Sequence, residues 1–331
     1  MTDGPSCTLH EGGCELVDGP YGKTAHPEIN DVGMRDAEVV DLLQGVDAAI
    51  VGAPHVTREV LAQLPQLKMI ARRGAGYDTI DIAAATEAGV LVTITPGTNE
   101  LSVAEQAIAL MFAVAKSVVW YHGELQQGAW RRRLGIELDG KTLGLVGVGR
   151  IGSRVALKAK ALGMSVVAYD VAPNVEWAAA NGVELLGLED VLRRADVISL
   201  HTPLLPSTRG MIGAAEIELM KPTAILVNTA RGPVIDQPAL VKALEDRRIF
   251  GAGLDTFDPE PIEEGSPLLT MDNVVLTPHV GGATREAPAR GSQLAAEFVV
   301  MASRRERPPA AAVINPEVFE VSPYWTGTHP S

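Results

Sequence analysis

The chain has 331 residues, enough for two domains of ordinary size with a substantial buried core. Hydrophobic residues make up 46% and charged residues 21%, which excludes collagen, an extended coiled coil and a disordered chain. With 28 Lys and Arg against 41 Asp and Glu, the formal charge of −13 repels phosphate backbones and anionic bilayers, so neither nucleic acid nor membrane is expected as a partner.

Cys7 and Cys14 are the two cysteines, too few for a disulfide framework. Only His10 stands close enough in sequence to join them at a metal, so no metal site is expected and the thiols read as reduced, in a cytoplasmic protein. The opening residues carry neither a basic segment nor an apolar one, and no signal peptide is expected.

Along the chain, short apolar runs alternate with helical patterns, the signature of βαβ units and a parallel sheet. Asp47 to Val51 predicts a strand, Arg58 to Leu64 a helix, Lys68 to Ala71 a strand, Ile82 to Ala88 a helix and Val90 to Ile94 a strand. From Ser102 onward, Val103, Ala107, Leu110, Met111, Val114 and Val118 recur at helical spacing, and Ser102 with Glu105 has the form of a capping box. The apolar run from Ala107 to Tyr121 is interrupted by Lys116 and Ser117 and falls short of the roughly 20 residues of a membrane span, so it predicts a core helix. Six further strands follow, at Thr142 to Val146, Ser165 to Tyr169, Asp196 to Leu200, Ala224 to Asn228, Phe250 to Leu254 and Asn273 to Leu276, which suits one doubly wound sheet. A helix from about Thr284 to Ala302 would return the chain to the first domain, where the tail with Val313 and Ile314 is expected to pack.

Between the first of those six strands and the helix after it stands Gly147-Val148-Gly149-Arg150-Ile151-Gly152. Gly147 would permit the tight turn, Gly149 the approach of a pyrophosphate to backbone N–H groups, and Gly152 close packing of helix on strand. In a chain with 33 glycines that pattern alone is weak. Its context strengthens it: the next strand ends at Asp170, 21 residues beyond Gly149, where an acid would accept the ribose hydroxyls of NAD and repel the 2′-phosphate of NADP.

Five ordered segments together resemble the D-isomer-specific 2-hydroxyacid dehydrogenase family over nearly the full chain. They are Gly74-Ala75-Gly76-Tyr77-Asp78, Asn99 with Ser102-Val103-Ala104-Glu105, the glycine motif, Asn228-Thr229-Ala230-Arg231-Gly232, and Asp255 through His279 with Asp258-Pro259-Glu260 and Thr277-Pro278-His279. The likeness implies an α/β architecture of two doubly wound parallel-sheet domains. A Rossmann NAD-binding domain, residues 99–284, would be inserted in a flavodoxin-like substrate domain formed by 1–98 and 285–331.

The resemblance also implies that Arg231, Glu260 and His279 are catalytic, and the chemistry agrees. Reduction of a 2-oxo acid needs a hydride at the carbonyl carbon, a proton at its oxygen and a cation for its carboxylate. His279 can give and retrieve the proton, Glu260 can hold one ring nitrogen and favour the imidazolium, and Arg231 offers a fork of donors to the carboxylate. All three follow strand ends, where open α/β sheets bind ligands.

By the same likeness, the cofactor would meet Gly147, Gly149, Arg150, Ile151, Gly152 and Asp170, then Thr202, Pro203 and Thr208, and finally Thr229, Ala230, Arg231, Asp255 and His279. Asp255 would hold the nicotinamide carboxamide. Arg73, Gly74, Ala75, Gly76, Asn99 and Arg231 would meet the substrate, with Arg72 as an alternative source of charge. The arm carrying Trp130 resembles a dimer-forming segment, so a homodimer is expected. Relatives open with a strand and helix before the segment that Leu9 to Gly19 resembles, so the first strand is expected to be missing or rebuilt here. Gln106 stands where many relatives have histidine, a change expected to matter little. The phosphoglycerate dehydrogenase branch and the glyoxylate and hydroxypyruvate reductases are the nearest in pattern; the alternative is an NADH-sensing corepressor-like binding protein without turnover.

Overall fold

The computed structural model describes residues 34–326, so Cys7, His10, Cys14 and the stretch from Leu9 to Gly19 lie outside the described residues. The chain divides into two units, Met1–Asn99 with Thr284–Ser331, and Glu100–Ala283. Both have the α/β architecture expected of them, parallel strands covered by helices.

In the first unit, β1 (Ala48–Val51), β2 (Met69–Arg72) and β3 (Leu91–Ile94) pair in parallel in that order. Residues alternate between faces as the pleat requires. Ala49, Val51, Ile70 and Val92 join one core cluster with Val39, Val60 and Ala84 from the helices Asp36–Leu43, Arg58–Ala62 and Ile82–Glu87. Met69, Ala71 and Leu91 face a second cluster with Ala295, Phe298 and Ala302 from the helix Glu286–Ser303. Burial on both faces is why β2 and β3 are largely apolar, whereas β1 leaves Ile50 exposed. The short helices are capped locally, Thr57 accepting from Val60 N and Asp81 from Ala84 N. The tail packs where expected: Ile314 N donates to Val92 O at 3.0 Å, and Asn315 bridges Val92 N, Val90 O and Thr86 Oγ1.

The second unit carries seven parallel strands among the described residues: β4 (Thr142–Val146), β5 (Ser165–Tyr169), β6 (Glu184–Leu185), β7 (Val197–Leu200), β8 (Ile225–Asn228), β9 (Gly251–Leu254) and β10 (Val274–Leu276). Their spatial order is β10-β9-β8-β7-β4-β5-β6, so the direction of winding reverses between β4 and β7. The sequence predicted six strands and missed β6, a two-residue edge strand too short to show an apolar pattern. One face buries Leu143, Leu145, Val197 and Val227 beneath the helices Glu100–Ala115 and Arg150–Ala161. The other buries Ile198, Leu200, Leu226 and Leu254 with Leu192, Ile217 and Leu240.

Two local expectations are corrected. The capping box at Ser102 does not form: the helix already begins at Glu100, so Ser102 is inside the first turn and buried rather than flanking it. The single core helix predicted over Ala107 to Tyr121 is two helices. The first helix ends at Ala115, the buried Ser117 takes a left-handed backbone at φ 52°, and Val118–Gln126 continues with no buried residue. No single described helix is long and apolar enough to cross a membrane.

Candidate active site

The loop after β4 shows why glycine stands where it does. Gly147 has φ +96°, and a Cβ there would come 2.7 Å from His201 O; a Cβ at Gly152 would come within 2.2 Å of Gly147 O. Gly149 caps the helix Arg150–Ala161, and its Cβ would meet no protein atom within 4 Å. The space beside Gly149, at the N-terminus of that helix and at the point where the winding of the sheet reverses, is therefore clear of protein atoms, which suits a pyrophosphate. Asp170, just past β5, accepts from Val148 N at 2.7 Å and Ala172 N at 2.8 Å, one bond to each carboxylate oxygen. Each oxygen keeps a further lone pair for a ribose hydroxyl.

Beyond β7 and β8 the wall is polar and unspent. The hydroxyls of Thr202 and Thr229 are buried without a hydrogen-bond partner. His201 is half-buried, and desolvation of its ring pushes the imidazole down to about 3, so it is neutral; one ring nitrogen meets Ser199 Oγ at 2.9 Å while the buried Nδ1 has no partner. Buried polar atoms left single are costly in a closed core and natural at a ligand surface. Thr208 differs: its hydroxyl donates to Pro203 O at 2.7 Å and accepts from Leu205 N at 2.8 Å, so it shapes the 203–208 turn. These residues fit an extended dinucleotide.

The three proposed reacting groups follow the adjacent strands β8, β9 and β10. After β8, the Asn228 side chain accepts from Ala230 N and donates to Arg231 O, folding the turn that presents Arg231. Gly232 lets that turn press against the next one, since a Cβ there would clash with Phe257 O at 1.8 Å. Glu260 accepts from Phe257 N at 2.9 Å through one oxygen and meets His279 Nδ1 at 2.8 Å through the other. An ionised carboxylate only accepts, so Nδ1 carries the proton of that bond and Nε2 is the nitrogen left for other work. Burial alone would raise the Glu260 carboxyl, but the His279 hydrogen bond and charge, Phe257 N and the nearby Arg231 guanidinium outweigh it and hold the group below its usual range.

His279 itself sits at φ 53°, a left-handed backbone uncommon outside glycine. Its N–H donates to Asp255 O at 2.8 Å. The Asp255 side chain accepts from Val280 N at 2.9 Å and Gly281 N at 2.8 Å, and from the Thr277 hydroxyl at 2.5 Å. Burial is the main reason its carboxyl lies above the usual value, partly offset by those three donors. Asp255 thus folds the 277–281 loop, a role the sequence did not disclose; one lone pair on Oδ2 remains uncommitted. Gln106, expected to matter little, donates to Thr277 Oγ1 at 3.0 Å and so belongs to the same network. Amphipathic spacing placed Gln106 on its helix but not its partner, since residues 171 apart meet only through the fold.

The remaining predicted substrate residues belong to the first unit. Arg73, Gly74, Ala75 and Gly76 follow the end of β2, and the Gly74 N–H donates to Thr95 Oγ1 at 2.7 Å, joining this loop to the one after β3. The Arg72 guanidinium bonds Arg73 O and lies against Gly74. Asn99 keeps a buried Oδ1 without a partner. Sequence reading passed over Arg290, whose Nε and Nη2 both donate to Thr98 O, at 3.1 and 2.9 Å, fixing the turn before Asn99. Among the described residues no cluster of His, Cys, Asp or Glu could hold a metal.

Comparison with known proteins fits this geometry. Residues 108–281 match the family model described as D-isomer specific 2-hydroxyacid dehydrogenase, NAD binding domain. The chain is 43% identical over 306 residues to the D-3-phosphoglycerate dehydrogenase of Methanocaldococcus jannaschii, covering 90% of this chain and 56% of that protein. It is 42% identical over 274 residues to the glyoxylate reductase of Korarchaeum cryptofilum, covering 81% of this chain and 82% of that protein. The crystal structure of a Thermus thermophilus protein superposes with a TM-score of 0.81 at 37% identity, covering 94% of this chain and 96% of that one. The chain therefore spans little more than half the length of the phosphoglycerate dehydrogenase and most of the length of the reductase.

Proposed function

The chain belongs to the D-isomer specific 2-hydroxyacid dehydrogenase family of NAD-dependent oxidoreductases, and from that premise we propose that it interconverts a D-2-hydroxy acid and its 2-oxo acid with His279 as the acid/base. The observation that carries this reading is the 2.8 Å contact between Glu260 and His279 Nδ1, which orients the ring and leaves Nε2 for the substrate oxygen. NAD, when bound, would supply the acceptor or donor of the hydride at C2. The chain's own residues do the rest. Arg231 would hold the substrate carboxylate with two parallel donors and polarise the adjacent carbonyl. His279 Nε2 would give its proton to the carbonyl oxygen in reduction and take it back in oxidation, while Glu260 stabilises the ring in its charged state. Arg73, Gly74, Ala75, Gly76 and Asn99 would also bind the substrate.

Asp170, the open helix N-terminus behind Gly149 and the unspent hydroxyls of Thr202 and Thr229 would hold NAD, with Arg150, Ile151 and the loop through Pro203 and Thr208 alongside. Asp255 would use its remaining lone pair on the carboxamide. Glyoxylate and D-3-phosphoglycerate, with its 2-oxo acid phosphohydroxypyruvate, are the substrates that the relatives' names suggest for this chain, and the sequence pattern adds hydroxypyruvate. A panel of these acids with NADH or NADPH, followed by absorbance, tests the assignment: turnover is expected and should be faster with NADH. Tight NADH binding without turnover of any 2-oxo acid would favour a corepressor-like role, and a strong preference for NADPH would overturn the role of Asp170.

On the same reading the protein works in the cytoplasm as a homodimer, without nucleic acid or membrane. Support for the dimer is an apolar surface that nothing among the described residues covers: Val118, Val119 and Leu125 are more than half exposed, Trp130 is 78% exposed and Leu134 94%. Light scattering at twice the monomer mass is expected, and a monomer at micromolar concentration would refute it.

A further inference from the structure

The helix Glu100–Ala115 touches the loop of His279 at two points one turn apart. A Cβ built on Gly281 would lie 3.5 Å from a Val103 methyl, and Gln106 Nε2 donates to Thr277 Oγ1 at 3.0 Å. The direction of that second bond is fixed by its neighbours. The ionised Asp255 carboxylate can only accept, so the single proton of the Thr277 hydroxyl goes to its Oδ1 at 2.5 Å, beside the bond from Val280 N. Thr277 Oγ1 can then only accept on its other side, and Gln106 must present its amide N–H rather than its carbonyl. The result is a one-way chain of donors: Gln106 to Thr277, Thr277 to Asp255. The same Asp255 carboxylate anchors Val280 N and Gly281 N, and its main-chain carbonyl anchors His279 N.

This chain of donors holds a residue in an unfavourable backbone state. At φ 53°, His279 keeps its left-handed conformation only while its surroundings over-determine it. Its ring must also stay within hydrogen-bond reach of Glu260. We infer that Gln106 is a positioning residue for His279: by donating to the Thr277 hydroxyl that Asp255 already orients, it ties the helix Glu100–Ala115 to the 277–281 loop that carries the acid/base. The inference rests on the proposed role of His279. It goes further in assigning part of that role to a side chain in a different element, whose replacement would act through the loop without touching cofactor or substrate.

Three variants test it against the wild-type enzyme. Gln106→Leu removes the donor at similar size, and kcat should fall about tenfold with the Kd for NADH within about twofold, the size of one lost hydrogen bond read as a barrier. Backbone amide exchange at Val280 and Gly281, measured without substrate, should quicken by a similar factor. Gln106→His restores an N–H donor and should recover most of kcat and of the exchange protection. In Thr277→Val the chain of donors is already cut, so adding Gln106→Leu to it should cost little more. Wild-type kcat and exchange in Gln106→Leu, equal losses in the Leu and His variants, or full additivity with Thr277→Val would each overturn the inference. The proposed function fails in a different way: the wild-type protein itself would turn over no 2-oxo acid, while the exchange measurement would still report on the loop. Should Gln106→Leu fold poorly, the His variant and Thr277→Val carry the same comparison.

Discussion

Two stretches of the sheet's carboxyl edge are built on opposite plans. Past β9 and β10, nearly every polar group around His279 is engaged: Asp255 meets three donors, Glu260 two, and Thr277 both accepts and donates. Past β7 and β8, by contrast, Thr202, Thr229 and His201 Nδ1 are buried with nothing to bond. The first stretch stabilises a geometry in advance, as a proton-transfer group requires; the second keeps its bonding capacity for a molecule that arrives. Substitutions at Glu260, Thr277 and His279 should therefore change rate at constant cofactor affinity, and substitutions at Thr202 and Thr229 should change affinity at nearly constant stability.

The largest effect is expected at His279. Replacing it with alanine removes the group that moves the proton, and kcat should fall by about 10² to 10⁴ while NADH binds nearly as before. An equal loss of NADH affinity would make the ring part of the cofactor wall and erase the contrast between the two stretches. Next comes Arg231→Lys, for which kcat/KM should fall about a hundredfold, because a single ammonium cannot reproduce two parallel donors on a carboxylate. Wild-type kinetics would remove Arg231 from the site.

A smaller effect concerns acid. The Glu260 carboxyl is held below its ordinary value in the folded protein, so the unfolded state takes up its proton first. Its contribution to stability is present in full above the unfolded carboxyl value and is lost as pH falls through the lowered folded value. The difference in thermal midpoint between wild type and Glu260→Gln should therefore be largest near neutrality and shrink on acidification through that window. A difference that grew in acid would mean that burial, which pushes the carboxyl up, outweighs His279 after all.

How much of this was legible in the sequence depends on the range of the interaction. Parallel strands buried on both faces announce themselves as apolar runs, and Gly147, Gly152 and Asp170 follow from spacing because a turn and the next strand are local. His279, Glu260 and Arg231 were found through motifs at successive strand ends. What stayed hidden is whatever two distant elements make together. Ser102 looked like a cap because a local pattern cannot tell a first turn from the residue before it. Asp255 read as a cofactor ligand, while three of its hydrogen bonds go to residues more than 20 positions away. Gln106 looked inert for the same reason.

The finest test of the contrast is Thr229→Val, which exchanges a hydroxyl for a methyl of nearly the same shape. In most buried positions the change would strand a partner and cost stability. Here the hydroxyl has no partner to strand, so the free protein should keep or slightly raise its thermal midpoint. If the second stretch is reserved for the dinucleotide, the same variant should bind NADH about three- to tenfold more weakly, the loss of one hydrogen bond gained only on binding. Stability and affinity would then move independently, which no purely structural role for Thr229 can produce. Lower stability with unchanged affinity would instead show that its hydroxyl serves the fold, and that unspent buried groups are a poor guide to where this chain holds its cofactor.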